Sequence, residues 1–260
     1  WQNKSYDAGQ YGTSVLGDII GSGKFTFPKS VYAVMDTLKY FIANKENALV
    51  VDFFAGSGTT MHAVNLLNSI DNGHRRCIMV TNNEVSADEA KALDEKGYRP
   101  GDKEWDRLGI ARYVTWPRTV CSIKGCNIDG KPLDGNYGCN VEQYTEIEGE
   151  FVNPETGKKI RGKVYKKEKE PAYPELADLK MSDGFKTNAV FFKLSFLDKT
   201  SVALGRQFSE LLPVLWMKGG AIGKCPALES DGLPEMLILP QNKMAVLIDE
   251  IYYSEFDAEL

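Results

Sequence analysis

Val50-Val51-Asp52-Phe53-Phe54-Ala55-Gly56-Ser57-Gly58-Thr59-Thr60 runs from an apolar stretch through a glycine turn into a helical pattern. The apolar stretch starts at Ala48-Leu49 and shows no polar alternation, which predicts a strand buried on both faces, as in a parallel sheet. Gly56 and Gly58 let the backbone approach a ligand closely, and the helix beyond them offers N–H groups at its positive end. A carboxylate or phosphate is the group such a turn receives. An isolated G-x-G more often marks only a tight turn, so the neighbouring residues decide.

Downstream, Met61, Val64, Leu67 and Ile70, with Ala63, carry the helix to Asp71-Asn72-Gly73, and Arg76-Cys77-Ile78-Met79-Val80-Thr81 predicts a second buried strand. Upstream, Val31, Val34, Met35, Leu38, Phe41 and Ile42 form an amphipathic stripe over residues 30–44. Strand, turn, helix and strand close most simply as a right-handed βαβ unit of a doubly wound sheet. Further helices are predicted at 86–96 and around 108–112. Residues 121–183 change texture, with Asp-Gly, Gly-Asn and Thr-Gly turn signals between Tyr- and Val-containing stretches, and predict β-hairpins inserted in the fold. A strand at 188–196 is expected to rejoin the sheet. A helix with Leu204, Phe208, Leu211 and Leu212 and a last strand at 244–248 follow. The expected fold class is therefore α/β, with a partial doubly wound domain over 1–198 and an α/β extension over 199–260.

Composition sets the outer limits. The chain has 260 residues, 43% hydrophobic and 26% charged with a net charge of -5, which excludes a disordered or collagen-like chain. No apolar run is long enough for a membrane span, and the first residues have no secretory pattern. The first residue is Trp rather than Met, consistent with a piece of a longer polypeptide. Five cysteines without a C-x-x-C pair suit a reducing, cytoplasmic setting. Only His62 and His74 are available as imidazole ligands, and Cys121, Cys126 and Cys139 lack the paired spacing of zinc sites, so no metal is assigned. Mild acidity argues against nucleic-acid binding through bulk charge. A local exception is the run 158–169, where Lys158, Lys159, Arg161, Lys163, Lys166, Lys167 and Lys169 surround Tyr165. It reads either as an arm along DNA phosphates or as a solvated charged hairpin.

The glycine turn fits neither common nucleotide motif. A phosphate-binding loop needs Lys and then Ser or Thr after its last glycine; Gly23-Lys24 is followed by Phe25, and Asp18 stands at the first glycine position. The dinucleotide fingerprint fails because Met61 occupies the third glycine position. A different adenosine-containing ligand is indicated.

Asp52-Phe53-Phe54-Ala55-Gly56-Ser57-Gly58-Thr59-Thr60 resembles the glycine motif of β-order, S-adenosylmethionine-dependent DNA amino-methyltransferases, the group that includes modification subunits of type III restriction systems. Phe27-Pro28-Lys29 resembles the motif that precedes it, with Ser30 where a second proline is usual. Gly12-Thr13 resembles the lead-in to that motif, and Gly109-Ile110-Ala111 and Arg118 resemble the segment after the second strand. The resemblance covers most of residues 11–120 and resumes near 183–196. It implies a Rossmann-like fold, S-adenosylmethionine as cofactor and DNA as substrate. The implied cofactor residues are Phe27, Pro28, Lys29, Ser30, Asp52, Phe54, Gly56, Ser57, Gly58, Thr59, Asn83 and Glu84. Gly56, Ser57, Gly58 and the helix start at Lys29 and Ser30 would bind the carboxylate, Asp52 the ammonium group and Phe54 the sulfonium. Glu84, or Asn83 in its place, would hold the ribose diol; the alternative for Glu84 is an acid at a helix N-terminus.

The family holds its target amine with an Asp/Asn-Pro-Pro-Tyr/Phe motif, and this sequence has no Pro-Pro pair. In the β order that motif precedes Phe-Pro-Lys, so it is expected upstream of Trp1, and no catalytic residue is assigned. The function implied is adenine methylation within a restriction-modification system, alongside a restriction subunit or a second modification subunit. Cytosine amino-methylation and a non-catalytic assembly module are the alternatives.

Overall fold

The computed structural model describes residues 3–194, 198–203, 207–228 and 232–260. They fall into two compact units, Trp1–Phe191 and Phe192–Leu260.

In the first unit, α1 (Val15–Ile20) buries Leu16, Ile19 and Ile20 and stops at Gly21, whose φ of +89° ends the helix. Pro28 is buried ahead of α2 (Val31–Ile42), which Ser30 caps by accepting from the amide of Ala33 at 3.4 Å. Of the predicted stripe, Val31 and Met35 turn into the core, joined by Tyr32, while Val34, Leu38 and Ile42 pack partly buried against it and Phe41 is exposed. Strand β1 (Leu49–Asp52) then leads through the glycine turn into α3 (Thr59–Asp71), and β2 (Arg76–Met79) pairs parallel to β1, with Val50 opposite Cys77 and Asp52 opposite Met79. A parallel pair needs a crossover, and α3 is that crossover. The βαβ unit read from the sequence is thus present.

Burial of this pair departs from expectation. Leu49, Val51 and Phe53 on and just beyond β1, with Ile78 and Val80 on and just beyond β2, are exposed, whereas the apolar runs predict strands covered on both faces. The reason lies in what surrounds them. Among the described residues β1 pairs with β2 alone, and the crossover helix occupies one side, so alternate side chains stay bare. The described strands form three two-stranded sheets, which makes the chain mixed α/β without the wider doubly wound sheet.

Helices α4 (Ala87–Glu95) and α5 (Lys103–Leu108) follow, then a π-helical turn at Ala111–Thr115 that continues into α6 (Trp116–Lys124). Residues 121–124 are therefore helical, and the expected hairpin region begins only beyond them. Pro117 is tolerated in the first turn of α6, where the π-helical turn passes into it, and Gly125, in the left-handed region at φ +67°, ends it. One long hairpin then forms, β3 (Asn140–Val152) with β4 (Lys159–Pro171), in register from Asn140 opposite Pro171 to Val152 opposite Lys159. Its flanks are part of the core. Leu133, Tyr137, Cys139, Tyr173, Leu176, Met181 and Phe185 share one buried cluster with Ile19, Val31, Met35, Ala63 and Leu66. The excursion from the sheet is thus only the arm, while its base completes the packing.

The strand expected at 188–196 is not formed over residues 188–194, and Ser195 and Phe196 lie outside the described residues. Instead Phe191 lies beside Trp116, the rings tilted at 55° with centroids 5.6 Å apart, and under the Arg112 guanidinium at 4.9 Å. The apolar run is thus held by aromatic and cationic side chains and pairs with no strand among the described residues.

The second unit contains α7 (Lys199–Ala203), α8 (Phe208–Lys218), the antiparallel pair β5 (Met236–Leu239) and β6 (Met244–Leu247), and α9 (Tyr253–Glu259). Leu204 of the expected helix lies outside the described residues; Leu212 and Trp216 are buried in α8. No described helix is long and apolar enough to cross a membrane.

Candidate functional site

The site is built at the C-terminal ends of β1 and β2, where ligands of open α/β sheets bind. The two strand ends are tied together there. The amide of Val80 donates to the carbonyl of Asp52 at 2.7 Å, and that of Ala55 to the carbonyl of Val80 at 3.2 Å.

Asp52 organises the turn that leaves β1. Its Oδ1 accepts from the Phe54 amide at 3.0 Å and its Oδ2 from the Thr60 hydroxyl at 2.6 Å, so one carboxylate joins both ends of the loop. A carboxylate has roughly four lone-pair sites, so capacity for a further donor remains. Gly56 and Gly58 take φ of +50° and +78°, the left-handed region that a side chain disfavours. A Cβ on Gly58 would also lie 3.1 Å from Cγ2 of Thr115. Gly58 heads α3 without any side-chain cap.

The loop is gripped from below by residues that the sequence reading did not place in the site. The Thr115 hydroxyl donates to the carbonyl of Gly56 at 2.5 Å. Nη1 of Arg118 donates to Oγ of Ser57 at 3.0 Å and to Oγ1 of Thr59 at 2.8 Å. Arg118 is completely buried, and burial pulls the pKa of its guanidinium down to about 10. The sequence singled out Arg118 only through the resemblance of the segment after the second strand, and its burial beside Val114 and Ser122 is seen only in the structure. Beneath them, Nε2 of His62 lies 2.8 Å from the Tyr137 hydroxyl.

The segment upstream of α2 comes alongside. The Phe25 ring lies against the turn, with Cζ 3.4 Å from where a Cβ of Gly56 would stand. Phe27 and Lys29 are exposed, Pro28 and Ser30 are buried, and the Ser30 hydroxyl donates to the carbonyl of Ser5 at 2.8 Å. Gly12 fits under this segment because any Cβ there would meet the Pro28 carbonyl at 2.5 Å. Phe54 is 91% exposed at the strand end, while Ser57 and Thr59 are buried.

At the end of β2, Asn83 and Glu84 part company. The Asn83 amide donates to the carbonyl of Asp106 at 2.7 Å and accepts from the amide of Arg112 at 3.2 Å, a clamp on the following loop. Glu84 is exposed, its carboxylate accepting from Asn82 at 3.3 Å, and it precedes the Ser86 cap of α4 rather than lying in the helix. Of the two, Glu84 keeps an accessible acceptor.

On the hairpin arm, Lys159 pairs with Glu150, Lys163 with Glu146 and Glu148, Lys166 with Glu168, and Lys167 with Glu142. Among the described residues Lys158, Arg161 and Lys169 have no ion pair. The basic run is therefore largely matched by the acids of the hairpin, as a solvated charged hairpin requires.

With this geometry in place, comparison with known proteins is informative. The chain is 39% identical over 83 residues to the type II methyltransferase M.KpnI of Klebsiella pneumoniae. It is 38% identical over 99 residues to the Mod subunit of the type III restriction-modification enzyme EcoPI of Escherichia phage P1. A third match is the Mod subunit of the type III enzyme StyLTI of Salmonella typhimurium, 37% identical over 81 residues. The chain is similar to the methyltransferases and Mod subunits of restriction-modification systems. The matches cover 31–38% of this chain and 12–19% of the relatives. No family model matches the chain. The similarity agrees with the resemblance carried by the glycine turn and by Phe-Pro-Lys.

Proposed function

We propose that this chain is the S-adenosylmethionine-binding part of an adenine-specific DNA methyltransferase of a restriction-modification system, built on part of a Rossmann-like sheet. The observation that carries the reading is the turn from Asp52 to Thr60. The amides of Gly56 and Ser57 donate to no acceptor among the described residues, and the helix behind them is uncapped. Free donors at a positive helix end suit a carboxylate. Asp52 retains acceptor capacity for the ammonium group, and the exposed Phe54 ring offers a face to a sulfonium cation. Glu84, with Asn83 shaping its loop, would take the ribose diol, and Phe27, Pro28, Lys29 and Ser30 would close the amino-acid end. Bound there, S-adenosylmethionine supplies an electrophilic methyl group for an exocyclic amine. The protein's own contribution is to orient the donor and hold its charged head.

DNA is the proposed substrate, with Lys158, Arg161 and Lys169 as the basic groups of the arm left to meet phosphates, and Lys159, Lys163, Lys166 and Lys167 available only by exchanging partners. A restriction subunit or a second modification subunit is the proposed protein partner, in the cytoplasm. The test is tritiated-methyl transfer to DNA by the chain joined to, or mixed with, a segment bearing the Asp-Pro-Pro-Tyr-type motif. Label recovered as N6-methyladenine is expected, and label recovered only in cytosine contradicts the assignment of the base.

A further inference from the structure

Arg118 carries a charge that the fold does not neutralise. Its guanidinium is fully buried, no carboxylate among the described residues pairs with it, and its Nε and Nη2 have no hydrogen-bond partner there. The nearest acid on the turn, Asp52, is committed to Phe54 and Thr60 instead. A buried unpaired cation is costly, so a fold that keeps one holds it against a strong opposing preference. The charge reaches as far as His62, whose imidazole is held well below its ordinary value first by burial and then by Arg118.

The grip on the turn has a directional consequence. In a trans peptide the N–H points opposite to the C=O. Thr115 draws the Gly56 carbonyl inward, which turns the Ser57 amide outward. The Ala55 carbonyl accepts from Gly58 at 2.8 Å, which does the same for the Gly56 amide. Arg118 fixes the next unit through Oγ of Ser57, the Ser57 carbonyl at 3.4 Å and Oγ1 of Thr59. Two outward amides and the uncapped N-terminus of the 13-residue α3 thus face one side of the turn, with the buried cation behind it.

We propose that Arg118 is a positioning residue for the carboxylate of the methyl donor, acting through Ser57 and Thr59 and supplying, behind the turn, the positive charge that the carboxylate completes. This rests on the cofactor reading above and names a determinant of that same site. Arg118 touches no ligand itself; it sets the shape and the potential of the turn that does.

The test compares S-adenosylmethionine with decarboxylated S-adenosylmethionine, which lacks only the carboxylate, by calorimetric titration of the whole chain. Wild type is expected to prefer the carboxylate-bearing donor. In Arg118→Met that preference falls by about tenfold, because a charge a few ångströms behind the turn acts on the ammonium and sulfonium of both donors alike and on a carboxylate in only one of them. Arg118→Lys, which also serves if the methionine variant does not fold, keeps the charge and so keeps the preference, while both donors weaken together as the loop loses its hydrogen bonds. A merely structural arginine would weaken both donors equally in Arg118→Met and leave the preference unchanged, which overturns the proposal and leaves the cofactor reading standing. Loss of the preference in Arg118→Lys also overturns it. Failure of the wild type to bind either donor overturns the cofactor reading and the proposal together.

Discussion

At the scale of single residues, the site depends on a few positions where one atom is decisive. Gly58 adopts φ +78°, and a Cβ added there would stand 3.1 Å from Cγ2 of Thr115, so Gly58→Ala meets both backbone strain and a contact. Left-handed backbone alone costs about 1–2 kcal/mol for a residue with a side chain. Gly97, at φ +85° with nothing within 4 Å, isolates that part. Gly58→Ala is therefore expected to lower the urea midpoint more than Gly97→Ala, and only the former to weaken cofactor binding; equal effects on stability would contradict the close packing of Thr115 under the turn. His62 gives a pH signature. Burial keeps its folded-state value below 6.5, so the unfolded chain takes up a proton below that pH that the folded chain refuses. Stability is full above pH 6.5 and falls as the pH drops, by up to about 1.4 kcal/mol per pH unit for this one group. Urea titrations on either side of that pH should show the slope, and His62→Gln should flatten it; an unchanged slope would mean that His62 is charged in the fold.

At the scale of elements, much of the chain was legible in the sequence. The stripe of α2, the crossover α3 and the two strands it joins follow from periodicity and from turn residues such as Asn72, which ends α3 in the left-handed region. The Thr-Gly signal also held, since Asn153 Oδ1 accepts from the amides of Glu155 and Thr156 and Gly157 turns at φ +66°. What was not legible depended on neighbours remote in sequence. The apolar run around Val190 looks like a strand, but Phe191 is held by Trp116 and Arg112, and no pattern along the chain encodes that. The burial of Arg118 escaped for the same reason, because the groups that receive it lie about sixty residues upstream. For the arm, the base is fixed by the Ala172 amide donating to the carbonyl of Cys139 at 2.8 Å, beneath the last strand pair. Deleting residues 147–164 and joining Glu146 to Tyr165 through Asn-Gly preserves that base and supplies a favoured hairpin turn. Affinity for S-adenosylhomocysteine is expected to stay within about twofold, as for independent sites, while retention on DNA falls. Loss of cofactor binding would show that the arm belongs to the site.

At the scale of the whole molecule, the proposed donor site has no acceptor motif beside it in this sequence. Nothing in its 260 residues offers a Pro-Pro motif to accept the amine hydrogens and stack on an extruded base. Holding the donor near DNA does not substitute for that, since the amine lone pair is delocalised into the ring until such contacts reshape it. The chain alone is accordingly expected to transfer no methyl group in a tritium assay on adenine-rich DNA; turnover abolished by Gly56→Trp would reveal an acceptor site within these residues. The bare face of Leu49, Val51, Phe53, Ile78 and Val80 fits the same picture, because a two-stranded parallel pair is the smallest part of a doubly wound sheet. Everything rests on the identity of the ligand at the turn from Asp52 to Thr60. Calorimetric titration of the chain with S-adenosylhomocysteine, ATP and NAD measures it directly. Binding of S-adenosylhomocysteine, weakened by Asp52→Ala and absent for ATP and NAD, is the expected result, and binding of ATP or NAD in preference to S-adenosylhomocysteine would contradict the account.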